Sequence, residues 1–224
     1  MTEKIALGNT PYWGIEYDVR LAEYLQQTFA GRSHLHIICG DGAKIKISQD
    51  LLPSHISSWI CFGNLPYNVA TPILINLIHQ PQQPDQILLL LQKEMAQRLL
   101  AGPGNKTYGS MTIQVGLYYD VQWIRAVPPS VFWPVPEVDS AIILLHRKPP
   151  SHDREFLLQV ERLVRHCFIQ RRKTLKNRLK AFGLKNPECV LSEIGISPQA
   201  RPEQLTLQQY ILLMQAITPH LSSL

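Results

Sequence analysis

Short apolar runs alternate with amphipathic stretches through the first 147 residues of the chain. Six of these runs have the length and the bounding turn residues of β-strands. They are 12–17, 35–39, 58–63, 86–92, 118–127 and 139–147. Helical patterns follow three of them, beginning at Asp18, Thr71 and Lys93. This alternation predicts an α/β fold with a mostly parallel sheet, in which ligands bind at the carboxyl ends of the strands.

The pattern becomes wholly helical beyond the segment 148–153, KPPSHD, which has the composition of a linker. Apolar residues then recur at the i, i+3 and i+4 positions of two amphipathic helices. These residues are Phe156, Leu157, Val160, Leu163, Val164, Cys167 and Phe168, followed by Leu175, Leu179 and Phe182. We therefore predict an α/β domain at residues 1–148 and a small all-helical domain at residues 153–224.

The composition is that of a globular protein without a membrane anchor. The 224 residues are 45% hydrophobic, which suffices for one sizeable core with a small appended domain. No apolar stretch is long enough to span a bilayer, and the first residues lack the apolar region of a signal peptide. The cysteines at 39, 61, 167 and 189 form no CxxC pair. These features predict a cytoplasmic protein with free, buried thiols and no metal.

The net charge of +5 is confined to the last third of the chain. Residues 1–150 contain 11 basic and 11 acidic residues, whereas residues 151–224 contain 11 basic and 6 acidic ones. No acidic residue stands between Glu161 and Glu188. This clustering predicts a face that binds nucleic acid, with a solvated helix surface as the alternative. The candidate contact residues are Arg171, Arg172, Lys173, Lys176 and Arg178.

Three predicted strands end in residues that suit nucleotide recognition. Glu16 ends the first strand, where a carboxylate can accept hydrogen bonds from both ribose hydroxyls. Asp41 lies in the turn after the second strand, where it can accept a hydrogen bond from an adenine amine. On these residues alone, a solvated glutamate ahead of a helix is the favoured interpretation of Glu16, and aspartate is common in turns. The third strand leads into GNLPYN, the most unusual of the three turns.

The sequence NLPY at residues 64–67 has the groups needed to activate an aromatic amine. The lone pair of the adenine amine is delocalised into the ring, so the nitrogen is a poor nucleophile. Two acceptors for the amine hydrogens, the Asn64 side-chain oxygen and the Leu65 carbonyl, favour a tetrahedral nitrogen and free its lone pair. Pro66 stiffens the turn, and Tyr67 can stack on the base. No ionised base is needed, because proton loss can follow the transfer of a group to the nitrogen.

A second stacking residue is predicted in the proline-rich loop that joins the last two strands. Phe132 lies in this loop, and its neighbour Trp133 is the alternative stacking residue. Capping the core is an equally favoured role for both. Asp139 and Ser140 are predicted to shape the loop behind Phe132.

Five segments, in order along the chain, resemble the ribosomal RNA adenine dimethyltransferase family. They are NLPYNVATPIL (64–74), LQKEMAQRLLAGPGNKTYGSM (91–111), VPPSVFWPVPEVDSAI (127–142), CFIQRRKTLKNRL (167–179) and RPEQLTLQQYILL (201–213). The loop and the final segment look more like the branch that modifies two adjacent adenines near the 3′ end of 16S ribosomal RNA. The sister enzymes that methylate 23S RNA have a similar catalytic turn.

The resemblance implies a Rossmann-like class I methyltransferase sheet followed by a small helical domain that binds ribosomal RNA. It implies S-adenosylmethionine as methyl donor and 16S ribosomal RNA, or the assembling small subunit, as partner of a monomeric enzyme. The implied cofactor contacts are Glu16 for the ribose, Asp41 for the adenine, and Asn64. The implied target-base contacts are Asn64, Leu65, Pro66, Tyr67 and Phe132.

The chain departs from this family at its start. Family members begin with an RNA-facing arm and a first strand that runs into a Gly-rich cofactor loop. Here MTEKIAL resembles the helix after that loop, and no GxGxG occurs in the chain. We therefore expect an amino-terminally truncated sheet with exposed strand edges, poor binding of S-adenosylmethionine and marginal folding. A non-catalytic RNA-binding assembly factor, or an inactive fragment, is the alternative function.

Overall fold

The structure, a computed structural model, describes residues 10–47, 51–66 and 68–221. The chain forms two compact units, Met1–Ile60 with Leu65–Asp85, and Cys61–Asn64 with Gln86–Leu224. The helix expected at MTEKIAL lies outside the described residues. The expectation of a missing first strand concerns a segment ahead of Met1 and stays a prediction.

A pair of parallel strands is the centre of the first unit. The elements of this unit are β1 (Tyr12–Glu16), α1 (Val19–Thr28), β2 (Leu35–Cys39) and α2 (Ala70–Ile78). Strands β1 and β2 are parallel, as the connection through a helix predicts. Helix α1 begins after Asp18, whose carboxylate accepts a hydrogen bond from the Leu21 amide at 3.0 Å.

A small apolar cluster holds α1 against this strand pair. Phe29, just beyond the helix, and Leu35, the first residue of β2, are buried. Tyr12, Leu25 and Ile37 are half-buried and pack against them. Burying a side chain of this size contributes about 1.5–3 kcal/mol to stability, so this cluster fixes the helix on the strands.

A four-stranded sheet and six helices form most of the second unit. The strands are β3 (Ile60–Asn64), β4 (Gln86–Gln92), β5 (Tyr119–Val127) and β6 (Ser140–Arg147), in the order β3-β4-β6-β5. The helices are α3 (Lys93–Leu100), α4 (Ser110–Tyr118), α5 (Arg154–Phe168), α6 (Leu175–Ala181), α7 (Pro187–Glu193) and α8 (Leu207–Leu221). No helix in residues 10–47, 51–66 and 68–221 is long and apolar enough to cross a membrane.

The sheet of the second unit is less parallel than the sequence predicts. Strand β6 pairs antiparallel with both β4 and β5. The reason lies in the connection from β5 to β6, residues 128–139, which contains only a short 3₁₀ turn at Pro129–Val131. A parallel return needs a long crossover, usually a helix, whereas a loop brings the next strand back antiparallel. Strand β6 lies between β4 and β5 in the sheet and runs antiparallel to each of them.

The predicted apolar face of the first carboxyl-terminal helix is confirmed. Leu157, Val160, Leu163, Val164 and Cys167 on α5 are each at most 3% exposed. The helix begins after Asp153, whose carboxylate accepts a hydrogen bond from the Phe156 amide at 2.8 Å. The division into domains at 148 and 153 stays a prediction.

The four cysteines are free, as predicted, but they are not all buried. Cys167 is buried and Cys61 is half-buried, whereas Cys39 and Cys189 are exposed. Cys39 is the last residue of β2. Cys189 lies on α7 with its Sγ 3.2 Å from a Glu193 carboxylate oxygen. Cys39 is exposed at the end of its strand, and Cys189 is exposed on the surface of its helix.

A buried carboxylate joins α4 to α5. Glu161 on α5 is fully buried, and the Tyr118 hydroxyl on α4 donates a hydrogen bond to it at 2.6 Å. Arg165 approaches the other carboxylate oxygen at 3.1 Å and also donates to the Gln114 side chain at 3.2 Å. Burial raises the pKa of Tyr118, and the bond to Glu161 raises it further. The neutral phenol therefore stays a donor to this carboxylate at physiological pH.

We expect Tyr118→Phe to lower the free energy of unfolding more than Tyr108→Phe does. Both tyrosines are buried, but the Tyr108 hydroxyl donates to a neutral acceptor, the Leu205 carbonyl, at 2.8 Å. A hydrogen bond to a charged group is worth about 1.5–3 kcal/mol, and one between neutral groups about 0.5–1.5 kcal/mol. Urea denaturation of the two variants measures the difference, and equal losses would contradict this assignment.

Candidate functional site

The structure brings Glu16 and Asp41 to the same edge of the first unit. Glu16, the last residue of β1, is in register with Cys39, the last residue of β2, and the strands are parallel. The Gly40 amide donates to the Glu16 carbonyl at 2.8 Å, so the pairing continues to the end of the strands. Asp41 follows directly. The two predicted cofactor carboxylates therefore lie at or just beyond the ends of neighbouring strands, where α/β sheets bind ligands.

The Glu16 side chain has one oxygen engaged within its own turn. Its Oε1 accepts a hydrogen bond from the Asp18 amide at 2.9 Å, and the residue is half-buried. This bond orients the carboxylate at the point where β1 passes into α1. A carboxylate offers about four acceptor sites, so the remaining sites suit a pair of hydroxyls.

Asp41 is held as an ionised acceptor. Its Oδ1 accepts a hydrogen bond from the Ala43 amide at 2.9 Å, and the Lys44 ammonium lies 3.2 Å from Oδ2. The Ala43 bond, followed by the Lys44 bond, lowers the pKa of Asp41 below its usual value of 3.8. The carboxylate therefore stays charged at neutral pH, which suits an amine donor and excludes Asp41 as a proton donor.

Helix α2 supports the turn at residues 41–45, here called the Asp41 turn. The Asn76 side-chain nitrogen donates to the Gly42 and Ile45 carbonyls, both at 2.9 Å. Gln80, only 2% exposed, donates to the Asn76 side-chain oxygen at 3.0 Å. Sequence reasoning missed both residues, because nothing in the local pattern links α2 to a turn more than 30 residues earlier.

The predicted target-amine residues lie where β3 ends. Asn64 is the last residue of β3 and is exposed, Leu65 is half-buried, and Pro66 is exposed. The Pro66 carbonyl accepts a hydrogen bond from the Val69 amide at 3.1 Å, directly before α2. The turn predicted at the end of a strand is therefore present. Tyr67 lies outside the described residues.

Phe132 lies in the loop at residues 128–139, here called the Phe132 loop, and is half-buried. Its amide donates to the Pro129 carbonyl at 3.0 Å, which closes the 3₁₀ turn. Trp133 beside it is 95% exposed. Phe132 is therefore backed by protein, whereas the Trp133 indole projects into solvent.

The end of the Phe132 loop is fixed to α3. The Lys93 amide donates to the Asp139 carbonyl, and the Lys93 ammonium pairs with the Asp139 carboxylate, each at 2.9 Å. Ser140, the next residue, is fully buried at the start of β6. This contact agrees with the predicted role of Asp139 and Ser140 in shaping the loop. Lys93 was missed by sequence reasoning.

The predicted site residues fall into both units. Glu16, Asp41, Leu65 and Pro66 belong to the first unit, whereas Asn64 and Phe132 belong to the second. Within the first unit, the strand register brings Glu16 and Asp41 to one edge. A single site that contains all of these residues stays a prediction.

The predicted RNA-contact residues differ in exposure. Arg171, Arg172 and Lys173 are exposed in the segment between α5 and α6. Arg171 donates to the Lys106 carbonyl at 3.3 Å, and its guanidinium lies 4.0 Å from the Glu203 carboxylate. Arg172 and Lys173 are therefore the more accessible cations of this segment.

Arg178 and Lys176 on α6 have internal partners. Arg178 is 7% exposed, and its guanidinium donates to the His166 carbonyl at 2.7 Å and to the Gln170 side chain at 3.1 Å. Lys176 pairs with Glu188 on α7. The buried position of Arg178 suits packing of α6 on α5 and does not suit direct contact with RNA.

Comparison with known proteins gives a consistent picture. The family model described as ribosomal RNA adenine dimethylase matches residues 2–218. The chain is 39% identical, over 95% of its length and 77% of the relative, to ribosomal RNA small subunit methyltransferase A of Vibrio cholerae. It is 34% identical, over 98% of its length and 78% of the relative, to the protein of the same name from Bacillus cytotoxicus.

Two solved structures share the fold. A dimethyladenosine transferase from Plasmodium falciparum is matched with a TM-score of 0.74 at 24% identity, over 93% of this chain and 82% of that one. The 23S rRNA methyltransferase ErmE is matched with a TM-score of 0.68 at 21% identity, over 96% and 85%. The predicted combination of a Rossmann-like α/β fold with a helical carboxyl-terminal region is confirmed.

We expect the pKa of Asp41 to remain below 3.8 in a Lys44→Met variant, because the larger cause, the Ala43 amide, is kept. Since the folded pKa lies below the unfolded one, ionised Asp41 stabilises the fold above pH 3.8. This stabilisation is lost as the pH falls through the folded pKa. Carboxyl ¹³C NMR titration measures the pKa, with exposed Lys46→Met as control. A wild-type pKa at or above 3.8 would contradict the assigned contacts.

Proposed function

Because this chain belongs to the ribosomal RNA adenine dimethylase family, we propose that it dimethylates the exocyclic amines of two adjacent adenines near the 3′ end of 16S ribosomal RNA. The match of the family model to residues 2–218 carries this proposal. The carboxylates that follow two neighbouring parallel strands support it. The named relatives are methyltransferases, and the alternative of a non-catalytic assembly factor is not favoured.

S-adenosylmethionine is the proposed cofactor and would supply an electrophilic methyl group, whose bond to the sulfonium sulfur breaks as the bond to the amine nitrogen forms, so that S-adenosylhomocysteine is the leaving group. Glu16 accepts hydrogen bonds from the ribose hydroxyls with the oxygen sites left by its bond to Asp18. Asp41 accepts a hydrogen bond from the amine of the cofactor's adenine. The lowered pKa of Asp41 supports this role, because the acceptor remains ionised at the pH of the cell. Asn64 is the third proposed cofactor contact.

The target amine is activated by hydrogen-bond acceptors and not by an ionised base. The Asn64 side-chain oxygen and the Leu65 carbonyl accept the two amine hydrogens, so the nitrogen becomes tetrahedral and its lone pair becomes available. Pro66 holds the two acceptors in place, and its own carbonyl is engaged by the Val69 amide. The proton on the methylated nitrogen is lost after the transfer.

Two aromatic residues hold the target base in this proposal. Tyr67 stacks on one face and Phe132 on the other, after the base has left its stack in the RNA. The half-buried position of Phe132 and the closed 3₁₀ turn before it support a rigid platform. Trp133 is the alternative platform, and its 95% exposure suits contact with RNA outside the target base.

RNA binding is assigned to the helical domain at residues 153–224, and the methyl-transfer chemistry to residues 1–148. Arg171, Arg172, Lys173 and Lys176 supply positive charge for phosphate contacts. Arg178 supports this surface from beneath by joining α6 to α5. We further propose that the protein acts as a cytoplasmic monomer without a metal.

We expect the 224-residue chain to transfer radiolabelled methyl groups to unmethylated small ribosomal subunits when S-adenosylmethionine is supplied at high concentration, which offsets the weak cofactor binding expected from the sequence. Asn64→Ala should slow the transfer about 100-fold, the size of effect seen when one preorganised polar group is removed from an active site. Asn105→Ala is the control, since Asn105 caps a separate turn at Thr107. No transfer by the wild type to any ribosomal RNA would contradict the activity, and transfer to 23S RNA alone would contradict the substrate.

We expect Arg172→Gln and Lys173→Gln each to weaken binding to 16S RNA and to reduce the salt dependence of the binding constant by about one unit of slope, because each removes one phosphate contact. Filter binding over a range of salt concentrations measures the slope.

Arg178→Met provides the contrast for this experiment. The buried guanidinium of wild-type Arg178 is bonded within the protein, so the variant should lose thermal stability. The salt dependence of RNA binding by the folded variant should stay at the wild-type value. Equal changes of slope in all three variants would contradict the proposed division of roles.

A further inference from the structure

We infer that Asn76 is a positioning residue that holds the Asp41 turn in the conformation that presents the Asp41 carboxylate. The inference rests on the proposed function, in which Asp41 recognises the adenine of the cofactor. Asn76 lies on α2, which begins shortly after Leu65 and Pro66. Helix α2 therefore supports the Asp41 turn through Asn76, and it follows Leu65 and Pro66 closely along the chain.

The Asn76 amide uses both of its hydrogens on the Asp41 turn. Its nitrogen lies 2.9 Å from the Gly42 carbonyl and 2.9 Å from the Ile45 carbonyl. The same turn is closed internally, because the Lys44 and Ile45 amides donate to the Asp41 carbonyl at 2.9 and 3.0 Å. One side chain thus fixes the residue after Asp41 and the residue that ends the turn.

Gln80 sets the orientation of the Asn76 amide. Its nitrogen donates to the Asn76 side-chain oxygen at 3.0 Å and to the Ile45 carbonyl at 3.3 Å. If the Asn76 side-chain nitrogen and oxygen were exchanged, the oxygen would face the carbonyl oxygens of Gly42 and Ile45. The nitrogen would then face the Gln80 side-chain nitrogen, which is itself a donor. The network therefore permits one orientation, and the near-complete burial of Gln80 keeps water from substituting for it.

The position of the turn determines the electrostatics of Asp41. The Ala43 amide, which lowers the pKa of Asp41 most, lies between the two carbonyls that Asn76 holds. If the turn loosens, this amide moves away from the carboxylate. Asn76 thus acts on cofactor recognition through Asp41, without touching the cofactor itself.

The test compares Asn76→Leu, which has a similar shape but no donors, with Gln82→Met. Gln82 belongs to the same unit, and its side-chain nitrogen donates to a different loop carbonyl, that of Ile56, at 2.6 Å. The control therefore also removes an amide-to-carbonyl hydrogen bond, but away from the Asp41 turn. If Asn76→Leu does not fold, Gln80→Met takes its place, because it removes the bond that orients Asn76.

Two measurements do not depend on activity. Amide hydrogen exchange at Lys44 and Ile45 should become at least about tenfold faster in Asn76→Leu, because the turn loses its outer support. Carboxyl NMR titration should show the pKa of Asp41 rising towards 3.8 in the same variant. Both quantities should stay at the wild-type value in Gln82→Met. The inference is overturned if Asn76→Leu leaves both unchanged, or if Gln82→Met shifts them equally.

Calorimetry with S-adenosylhomocysteine links the turn to the cofactor. The dissociation constant should rise about tenfold in Asn76→Leu, while the affinity for 16S RNA stays the same. An unchanged dissociation constant, with a loosened turn, would overturn the role of Asn76 in cofactor recognition. No binding by the wild type would contradict the proposed cofactor, and exchange and titration would still decide whether Asn76 holds the turn.

Discussion

The register between β1 and β2 is the constraint on which the relative position of Glu16 and Asp41 depends. Because Glu16 is paired with Cys39 in parallel strands, the chain can place Glu16 and Asp41 at one edge although 25 positions separate them. A shift by one residue would turn every side chain of one strand to the opposite face. The apolar contact of Phe29 with Leu35, and the cap at Asp18, fix the helix that connects the strands.

The basic residues in the last third of the chain show that a cluster of charges in the sequence does not reveal which of those charges lie on the protein surface. The cations at Arg172 and Lys173 are exposed, whereas Arg178, from the same cluster, is enclosed by His166 and Gln170. The two terminal nitrogens of the buried guanidinium donate to the Gln170 side chain and the His166 carbonyl, although its buried Nε has no partner among the described residues. Part of the cluster is therefore available for the proposed phosphate contacts, whereas Arg178 packs α6 against α5.

Much of the fold could be predicted from the sequence, because local patterns specify it. The limits of β2, β4 and α3 agree with the predicted runs, and the apolar face of α5 follows the helical period. The antiparallel β6 was missed because strand direction depends on the path of the loop before it. Asn76 and Lys93 were missed because their partners are distant in sequence. The chemistry predicted for Asn64 and Phe132 came from the residues of their turn and loop and was repeated by the family resemblance, and their meeting with Asp41 stays a prediction.

The exposure of Cys39 leaves an accessible thiol at the end of β2, beside the end of β1 and shortly before Asp41. Burial raises the pKa of Cys61 and Cys167 to about 12, and the neighbouring Glu193 raises that of Cys189. Since the thiolate is the reactive form, each of these shifts lowers the reactive fraction of its thiol at neutral pH. Cys39 is exposed and lies two positions ahead of Asp41. A fluorophore attached to Cys39 would therefore report on the surroundings of the Asp41 turn without an engineered cysteine.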